Sequence, residues 1–370
     1  MSLGLTLAEI DTPALVLDLT VLEQNLDSMA AHARAHGIGL RPHAKAHKSA
    51  WIATQQMNRG AVGICCQKVS EAAAFAAGGF NSILVSNEVV GLAKVRRMAE
   101  LAKSADLIFC VDDDRGLETC NDVASAYGVT LQVLIDLQGG WYRPGVASTE
   151  RAVELAKQVD SFGHLQLRGL QAYNAAAQHI KDFELRMSST VEFCERVIEA
   201  VAALNELGFD SSMVSGGGTG TYDIDPLHGP YTEIQPGSYA FMDGGYLENT
   251  DKDGKARQDF ELSLFVLTTV MSRPSSDIAI VDCGTKGISI GPGMPRVFLT
   301  SGATSEFEFV RASDEHGSVD LKGHDLNIGD RLLLVPDNVD PTVNLYDGYL
   351  GMRSGRVTEM FPVTARGQVR

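Results

Sequence analysis

No apolar run in these 370 residues is long enough to cross a bilayer, so the chain does not read as a membrane-spanning protein. Met1 to Ile10 lack the basic start and long apolar stretch of a secretory signal. The six cysteines include no Cys-x-x-Cys pair and no regular framework, and the adjacent Cys65 and Cys66 are not expected to bridge each other. They read as reduced, mostly buried thiols of a cytoplasmic protein. Positive charge is also scarce: 31 Lys and Arg stand against 47 Asp and Glu, a net charge of -16. That argues against nucleic acid or an anionic membrane as partner, while a local cationic pocket remains compatible with a small anionic ligand. Internal repeats, low-complexity tracts and Pro/Ser-rich linkers are missing, as are GxGxxG and Walker A motifs.

What is present is an ordinary soluble composition, 44% apolar and 21% charged, on a length suited to one large domain plus a smaller one. Residues 14–17 read as a strand, and apolar positions recur at helical spacing from Val21 to Ala33. Short apolar runs then occur at 61–66, 82–86, 107–112, 131–137, 167–173 and 212–215. Helical patterns lie between them at 46–58, 70–77, 91–103, 148–159 and 182–207. Strand-then-helix repetition implies parallel strands with crossover helices, and about eight such units close a (β/α)8 TIM-type barrel. Past Asp243 the pattern turns β-rich, at 261–272, 278–283, 306–311, 331–335 and 356–364. The expected division is an α/β barrel over 19–245, with 1–18 and 246–370 forming a mostly antiparallel β domain packed tightly against it.

In such a barrel the chemistry belongs at the C-terminal ends of the strands. Polar residues recur there: His43, Lys45, Gln67, Asn87, Asp112, Arg143, Tyr173, Asn174, the glycine run 216–220 and Tyr239. Lys45, in the run 41–48, follows an apolar segment and suits a Schiff base with a carbonyl cofactor. Neighbouring cations such as Arg41 and Lys48 are expected to lower its pKa, and Lys48 is the competing amine. The run Gly216-Gly217-Gly218-Thr219-Gly220 follows a strand and permits close backbone approach to a phosphate. An amine nucleophile beside a phosphate nest points to pyridoxal phosphate. Arg143 suits the cofactor phenolate oxygen or a substrate carboxylate.

These residues resemble the D-threonine aldolases and their relatives, the 3-hydroxy-D-aspartate aldolases and D-serine dehydratases, pyridoxal phosphate enzymes of the alanine-racemase-like fold. The resemblance runs from Asp11-Thr12-Pro13-Ala14 through 41–48, 63–72, 86–90, 169–173, 215–220 and 237–243 to 314–317 and 339–342. It implies that Lys45 is the Schiff-base lysine, that Gly217, Gly218, Thr219 and Gly220 hold the phosphate with Tyr239 beside them, and that Arg143 lies near the cofactor hydroxyl. Gln67 and Tyr173 join the cofactor site. Gln235 stands where alanine racemases carry an arginine facing the pyridine nitrogen, and a neutral partner there weakens the electron sink. A homodimer is implied as well.

Departures from the family pattern concern imidazoles. Family members place a metal on a histidine and, two positions on, an aspartate or cysteine; here Asn338 and Asp340 stand there. Their oxygen donors would favour Mg²⁺ or Mn²⁺, with Ca²⁺ as a further choice, over zinc. Asn174 and Tyr346 also replace common histidines. The resemblance implies retro-aldol cleavage of a D-β-hydroxy-α-amino acid, D-threonine or 3-hydroxy-D-aspartate, to glycine and an aldehyde. His179, His43 and His47 remain as candidate bases, and Tyr173 and Asn174 flank the reaction. The alternatives are dehydration or racemisation of a D-hydroxy amino acid, and a non-catalytic cofactor carrier. The loop Trp141-Tyr142-Arg143 departs from the usual one and implies altered selectivity.

Overall fold

The computed structural model describes residues 3–140 and 142–370. Eight parallel strands form one sheet in the order Gly39–Leu40, Glu233–Ile234, Met213–Gly216, Leu165–Ala172, Leu131–Asp136, Asp106–Val111, Ser82–Glu88 and Ile64–Cys66. A parallel bridge between His43 and Cys65 joins the two ends of this order and curls the sheet into a barrel. Across that seam the Cys65 N–H donates to the Pro42 carbonyl at 2.9 Å and the Ala44 N–H to that of Cys65 at 2.7 Å.

Side chains alternate along each strand. Ile64, Cys66, Ile83, Val85, Leu107, Phe109, Val133 and Ile135 pack with the surrounding helices. Their neighbours Cys65, Leu84, Ile108, Cys110 and Leu134 form a separate buried cluster with Met213 inside the barrel. Both faces are covered, so the strands appear in the sequence as continuous apolar runs.

Helix Leu19–Ala35 begins where the Asp18 carboxylate accepts the N–H groups of Thr20 and Val21, and it buries Leu22, Leu26, Met29 and Ala33 on one face. Helix Leu117–Tyr127 lies outside the sequence expectation. Its buried positions Leu117, Cys120, Val123 and Ala124 have the right spacing but mix in a thiol and a methyl, a faint signal. The helix expected from residue 46 starts at Ala50 instead. Lys48 has a φ of 48°, a left-handed conformation that keeps the Lys45–Lys48 stretch out of the helix.

The second sheet has nine strands, ordered Ile278–Val281, Gly317–Asp320, Thr304–Ala312, Arg296–Leu299, Arg331–Val335, Leu264–Ser272, Ala14–Asp18, Gly348–Arg353 and Arg356–Pro362. Its neighbours are antiparallel except Ala14–Asp18 with Gly348–Arg353. Ile278–Val281 also pairs with Leu264–Ser272, closing six strands on themselves. One buried cluster joins the two parts: Leu19, Leu22 and Leu26 of the first helix meet Tyr239, Phe241, Val266, Leu334, Val339 and Val343. This packing fixes the short helix Val339–Val343 beside the barrel mouth.

Candidate active site

At the C-terminal end of the barrel lies a cavity of about 590 Å³, lined in part by His43, Lys45, Tyr173, His179, Gly218, Thr219, Gln235 and Asp340. A smaller recess of about 100 Å³ shares His43, Lys45, Tyr173 and Gln235 with it and adds Gln67, Asn87, Asp136 and Arg143. Residues from six other barrel strands thus converge on Lys45.

The Lys45 Nζ faces Asp340 Oδ2 at 3.4 Å. Burial is the strongest single influence and works to lower the pKa of this ammonium, but the Asp340 carboxylate together with Tyr173 outweighs it and the net displacement is upward. The expected lowering by Arg41 and Lys48 is therefore corrected. Arg41 is bound to Glu233 at 2.7 Å, and Lys48 is bound to Glu71, so both cations are compensated by buried carboxylates. Lys48 also points to the Ala365 carbonyl and is absent from the cavity lining.

His43 accepts the Lys45 N–H at Nδ1, 3.4 Å away, and its Nε2 lies 3.2 Å from Ser86 Oγ. Acceptance at Nδ1 leaves Nε2 as the protonated nitrogen, donating to Ser86. Burial, reinforced by Lys45, pushes the His43 pKa well down, so the ring is neutral. His47 does not join the site. It is fully buried beside Phe75 with its pKa pushed down to about 3 by burial, and its Nδ1 accepts the Ser49 N–H.

The glycine loop is shaped by Gln178. Its Oε1 accepts the Gly220 N–H at 3.0 Å, and its Nε2 donates to Asn174 O at 3.0 Å and Thr221 Oγ1 at 2.9 Å. A Cβ on Gly218 would lie 2.3 Å from Gln178 Oε1, and one on Gly220 2.2 Å from the Gln178 carbonyl. Thr219 Oγ1 accepts the Tyr239 N–H at 3.1 Å, holding the loop against Gly237 and Ser238, which also line the cavity. Backbone crowded this closely, opening on a cavity that holds a lysine, fits a phosphate-bearing carbonyl cofactor. The Tyr239 ring takes no part: it packs against Phe260, and its hydroxyl accepts from Gln56 at 3.1 Å.

Gln235 Nε2 donates to Gln171 Oε1 at 2.8 Å and to Ser215 Oγ at 2.6 Å. Both of its amide hydrogens are thereby used, and its Oε1 accepts from Gln171 Nε2 at 3.2 Å, so the group it brings to the recess is neutral. The Arg143 guanidinium lies 5.9 Å from the Tyr173 ring centre. Gln67 Nε2 donates to the Ser86 carbonyl at 3.3 Å. Asn174 is turned away from the cavity, its amide donating to Ser189 O and accepting the Ala177 N–H. His179 lies against Tyr246, with ring centres 4.5 Å apart, and burial lowers its pKa. Trp141 lies outside the described residues, and Tyr142 is fully exposed.

The expected metal ligands are otherwise engaged. Asn338 Oδ1 accepts the Asp340 N–H at 3.0 Å, capping helix Val339–Val343. Asp340 faces Lys45, and no group of three or more His, Cys, Asp or Glu arranged to hold an ion occurs among the described residues. Asn338 Oδ1 is thus occupied and Asp340 Oδ2 faces a cation, while Asp340 Oδ1 is buried without a hydrogen-bond partner.

Sequence reasoning assigned no role to Asp243, Asp337 or Tyr246, which all line the cavity. Asp243 accepts the N–H groups of Tyr246 at 3.0 Å and Val339 at 3.3 Å, tying the barrel exit to the helix that carries Asp340. Burial pushes its pKa up to about 7. Asp337 accepts the Gly293 N–H at 2.9 Å. Their only signal in the sequence was position, within or close to segments that resemble the family.

Comparison with known proteins accords with this architecture. The family model for the alanine racemase N-terminal domain matches residues 17–244, and a model of a serine dehydratase domain matches 263–352. The chain is 42% identical to a 3-hydroxy-D-aspartate aldolase of Paracoccus denitrificans (strain Pd 1222), covering 99% of this chain and 94% of that protein. It is also 42% identical to a D-threonine aldolase of an Arthrobacter species, covering 98% and 95%. The crystal structure of D-threonine aldolase from Filomicrobium marinum superposes with a TM-score of 0.94 at 41% identity, over the whole of both chains. Closed barrel, lysine at its mouth, crowded glycine loop and end-to-end similarity agree: the chain belongs to the D-threonine aldolase and 3-hydroxy-D-aspartate aldolase family, pyridoxal phosphate lyases of the alanine-racemase-like fold.

Proposed function

We propose that this chain cleaves the Cα–Cβ bond of a D-configured β-hydroxy-α-amino acid, of the D-threonine or 3-hydroxy-D-aspartate type, releasing glycine and an aldehyde. The observation that carries the reading is Lys45 Nζ, opposite Asp340 at 3.4 Å, in a cavity that also opens on Gly218 and Thr219. Lys45 would hold pyridoxal phosphate through its carbonyl carbon, and the glycine loop with Gly237 and Ser238 would hold the phosphate. When bound, the cofactor accepts the electron pair freed at the substrate α carbon.

The chain's own residues do the rest. Arg143, beside Tyr173 and the recess, supplies the cation for a phenolate or the substrate carboxylate. Gln235 offers no charge to the ring, which tempers the electron sink and disfavours reactions needing a long-lived carbanion. Neutral His43 adds no second cation next to Lys45. A carboxylate or imidazole at the mouth, from Asp340 or His179, takes the β-hydroxyl proton. Lys45, displaced by the substrate amine, is placed to return a proton to the α carbon. A divalent cation, if bound, would have Asp340 Oδ1 as its free protein oxygen, since Asn338 Oδ1 caps its own helix.

The holoenzyme should form glycine with acetaldehyde from D-threonine, or glycine with glyoxylate from 3-hydroxy-D-aspartate. Lys45→Ala should abolish both the product and the visible absorbance of the bound cofactor. Pyruvate or another 2-oxo acid with ammonia, in place of glycine, would replace this reading with dehydration. Loss of optical rotation with solvent deuterium at the α carbon would replace it with racemisation.

A further inference from the structure

We infer that Tyr349, Thr364 and Ala365 of the β domain are positioning residues for Lys45: they hold one leg of the turn from which it projects, while the barrel holds the other. This rests on the reading of Lys45 as the amine that links the cofactor, and it goes further by naming the residues that aim that amine.

The turn is closed by the Lys48 N–H, which donates to the Ala44 carbonyl at 2.7 Å. Every residue of 41–49 is buried except Lys45. The upstream leg belongs to the barrel: the His43 N–H donates to the Pro236 carbonyl at 3.0 Å, and the Ala44 N–H to that of Cys65. The downstream leg has no strand to lie on, because the left-handed Lys48 turns the chain away before helix Ala50–Met57 begins. The Lys48 ammonium reaches Glu71 of the barrel, but that bond ties down a side chain and leaves the backbone to be held elsewhere.

Backbone groups of the downstream leg are met from the β domain. The Tyr349 hydroxyl donates to the His47 carbonyl at 2.6 Å. The Ala365 N–H donates to the Lys48 carbonyl at 2.8 Å. Ser49 makes no side-chain bond at the start of helix Ala50–Met57, and Thr364 Oγ1 accepts the Ala50 N–H in its place at 3.0 Å. These anchors are themselves fixed. Tyr349 is fully buried, its ring stacked 5.1 Å from Phe361, and Phe361 stacks 4.3 Å from Trp51 of that same helix. Ala365 is fully buried in the cluster that surrounds the barrel strands.

The consequence lies in what Lys45 has to do. Its nitrogen must meet the cofactor carbonyl carbon and later stand over the substrate α carbon, at the end of a flexible four-carbon stem. The position of its Cα therefore sets its reach, and a displacement of about 1 Å at a reacting group can cost about 100-fold in rate. A turn with one leg on each domain converts any shift of the β domain against the barrel into a shift of that Cα.

Tyr349→Phe removes the hydroxyl and keeps the stacked ring; Thr364→Val removes the acceptor. In the apoprotein, hydrogen exchange read by mass spectrometry should quicken about fivefold over residues 43–50 in each variant, the worth of one buried hydrogen bond, and stay unchanged over 213–220. In the holoenzyme, kcat for glycine formation should fall about tenfold with KM within about threefold, and the visible circular dichroism of the bound cofactor should change. Phe309→Leu is the control: Phe309 is buried on strand Thr304–Ala312, which is not a neighbour of Gly348–Arg353, so it should lower stability and leave all three readouts at parent values. Exchange over 43–50 unchanged in both variants overturns the inference. So does faster exchange with kcat and dichroism unchanged, and so does an equal change in Phe309→Leu. A parent that binds the cofactor with no visible absorbance lost in Lys45→Ala overturns the reading of Lys45, and this inference with it.

Discussion

Placing a single methyl group on the glycine loop probes how the cofactor phosphate is held. In Gly218→Ala the new Cβ would stand 2.3 Å from Gln178 Oε1 and 2.9 Å from Tyr173 Cε2, so something must move. The Tyr173 ring is packed into the site, whereas Gln178 is the end of a flexible side chain and will yield. Its displacement breaks its bonds to Gly220, Thr221 and Asn174, three hydrogen bonds of 2.9–3.0 Å within the buried loop. At about 1 kcal/mol net for each, the loss is about 3 kcal/mol. If the loop recovers its binding geometry only by restoring those bonds, affinity for pyridoxal phosphate falls by about 100-fold. Titration of the apoprotein with cofactor, followed by visible absorbance, reads that change directly, and thermal unfolding of the same apoprotein reads whatever part falls on stability. A variant that binds cofactor within about threefold of the parent, with unfolding unchanged, would refute the claim that Gln178 shapes the nest.

The two neighbouring lysines should separate cleanly. Lys48→Met leaves Glu71 buried without its cation, so stability should drop by about 3–5 kcal/mol in denaturant titration, while the visible cofactor absorbance persists because Lys45 carries it. Asp225, fully buried behind the loop and hydrogen-bonded by Thr221, has its pKa raised to about 7 by burial. Its folded pKa exceeds the unfolded one, so its contribution favours folding below about pH 4 and fades as pH rises through about 7, up to about 4 kcal/mol in all. Asp225→Asn should flatten the decline in apoprotein stability between those pH values; an unchanged slope would place the ionisation elsewhere.

Lys45, the glycine loop, Gln67 and Arg143 could be read from the sequence because each follows an apolar strand, and strand ends of a parallel barrel meet at one face; Gln235 came from the resemblance alone, since the strand before it is only Glu233–Ile234. The direction of the Lys45 pKa could not. Arg41 and Lys48 are its neighbours along the chain, but their charges are spent on Glu233 and Glu71, and the carboxylate that decides the matter comes from the other domain. Asn338 shows a related limit. As a residue type it is an oxygen donor open to a metal, and only the helix that starts immediately after it shows that the oxygen is taken. Asn174 and Tyr239 likewise sit at the right positions in the chain but are turned away by Ser189, Ala177, Gln56 and Phe260. In the β domain, strand Arg331–Val335 carries four buried apolar residues and is plain in the sequence, whereas Gly348–Arg353 includes two glycines and draws its stability from partners on both sides.

Strand Ala14–Asp18 lies between Leu264–Ser272 and Gly348–Arg353 in the second sheet. On the ribosome it is made before the barrel strands, and its buried residues Ala14, Leu15, Val16 and Leu17 have no edge to pair with until the barrel has been made. One partner then arrives with residues 264–272, the other only with 348–353. For most of synthesis the nascent chain therefore trails an apolar strand from a domain that does not yet exist, a period in which a chaperone or a second chain can claim it. Gly348–Arg353, made long after the barrel, locks Ala14–Asp18 in place, and with it the helix Leu19–Ala35 that leads toward Lys45.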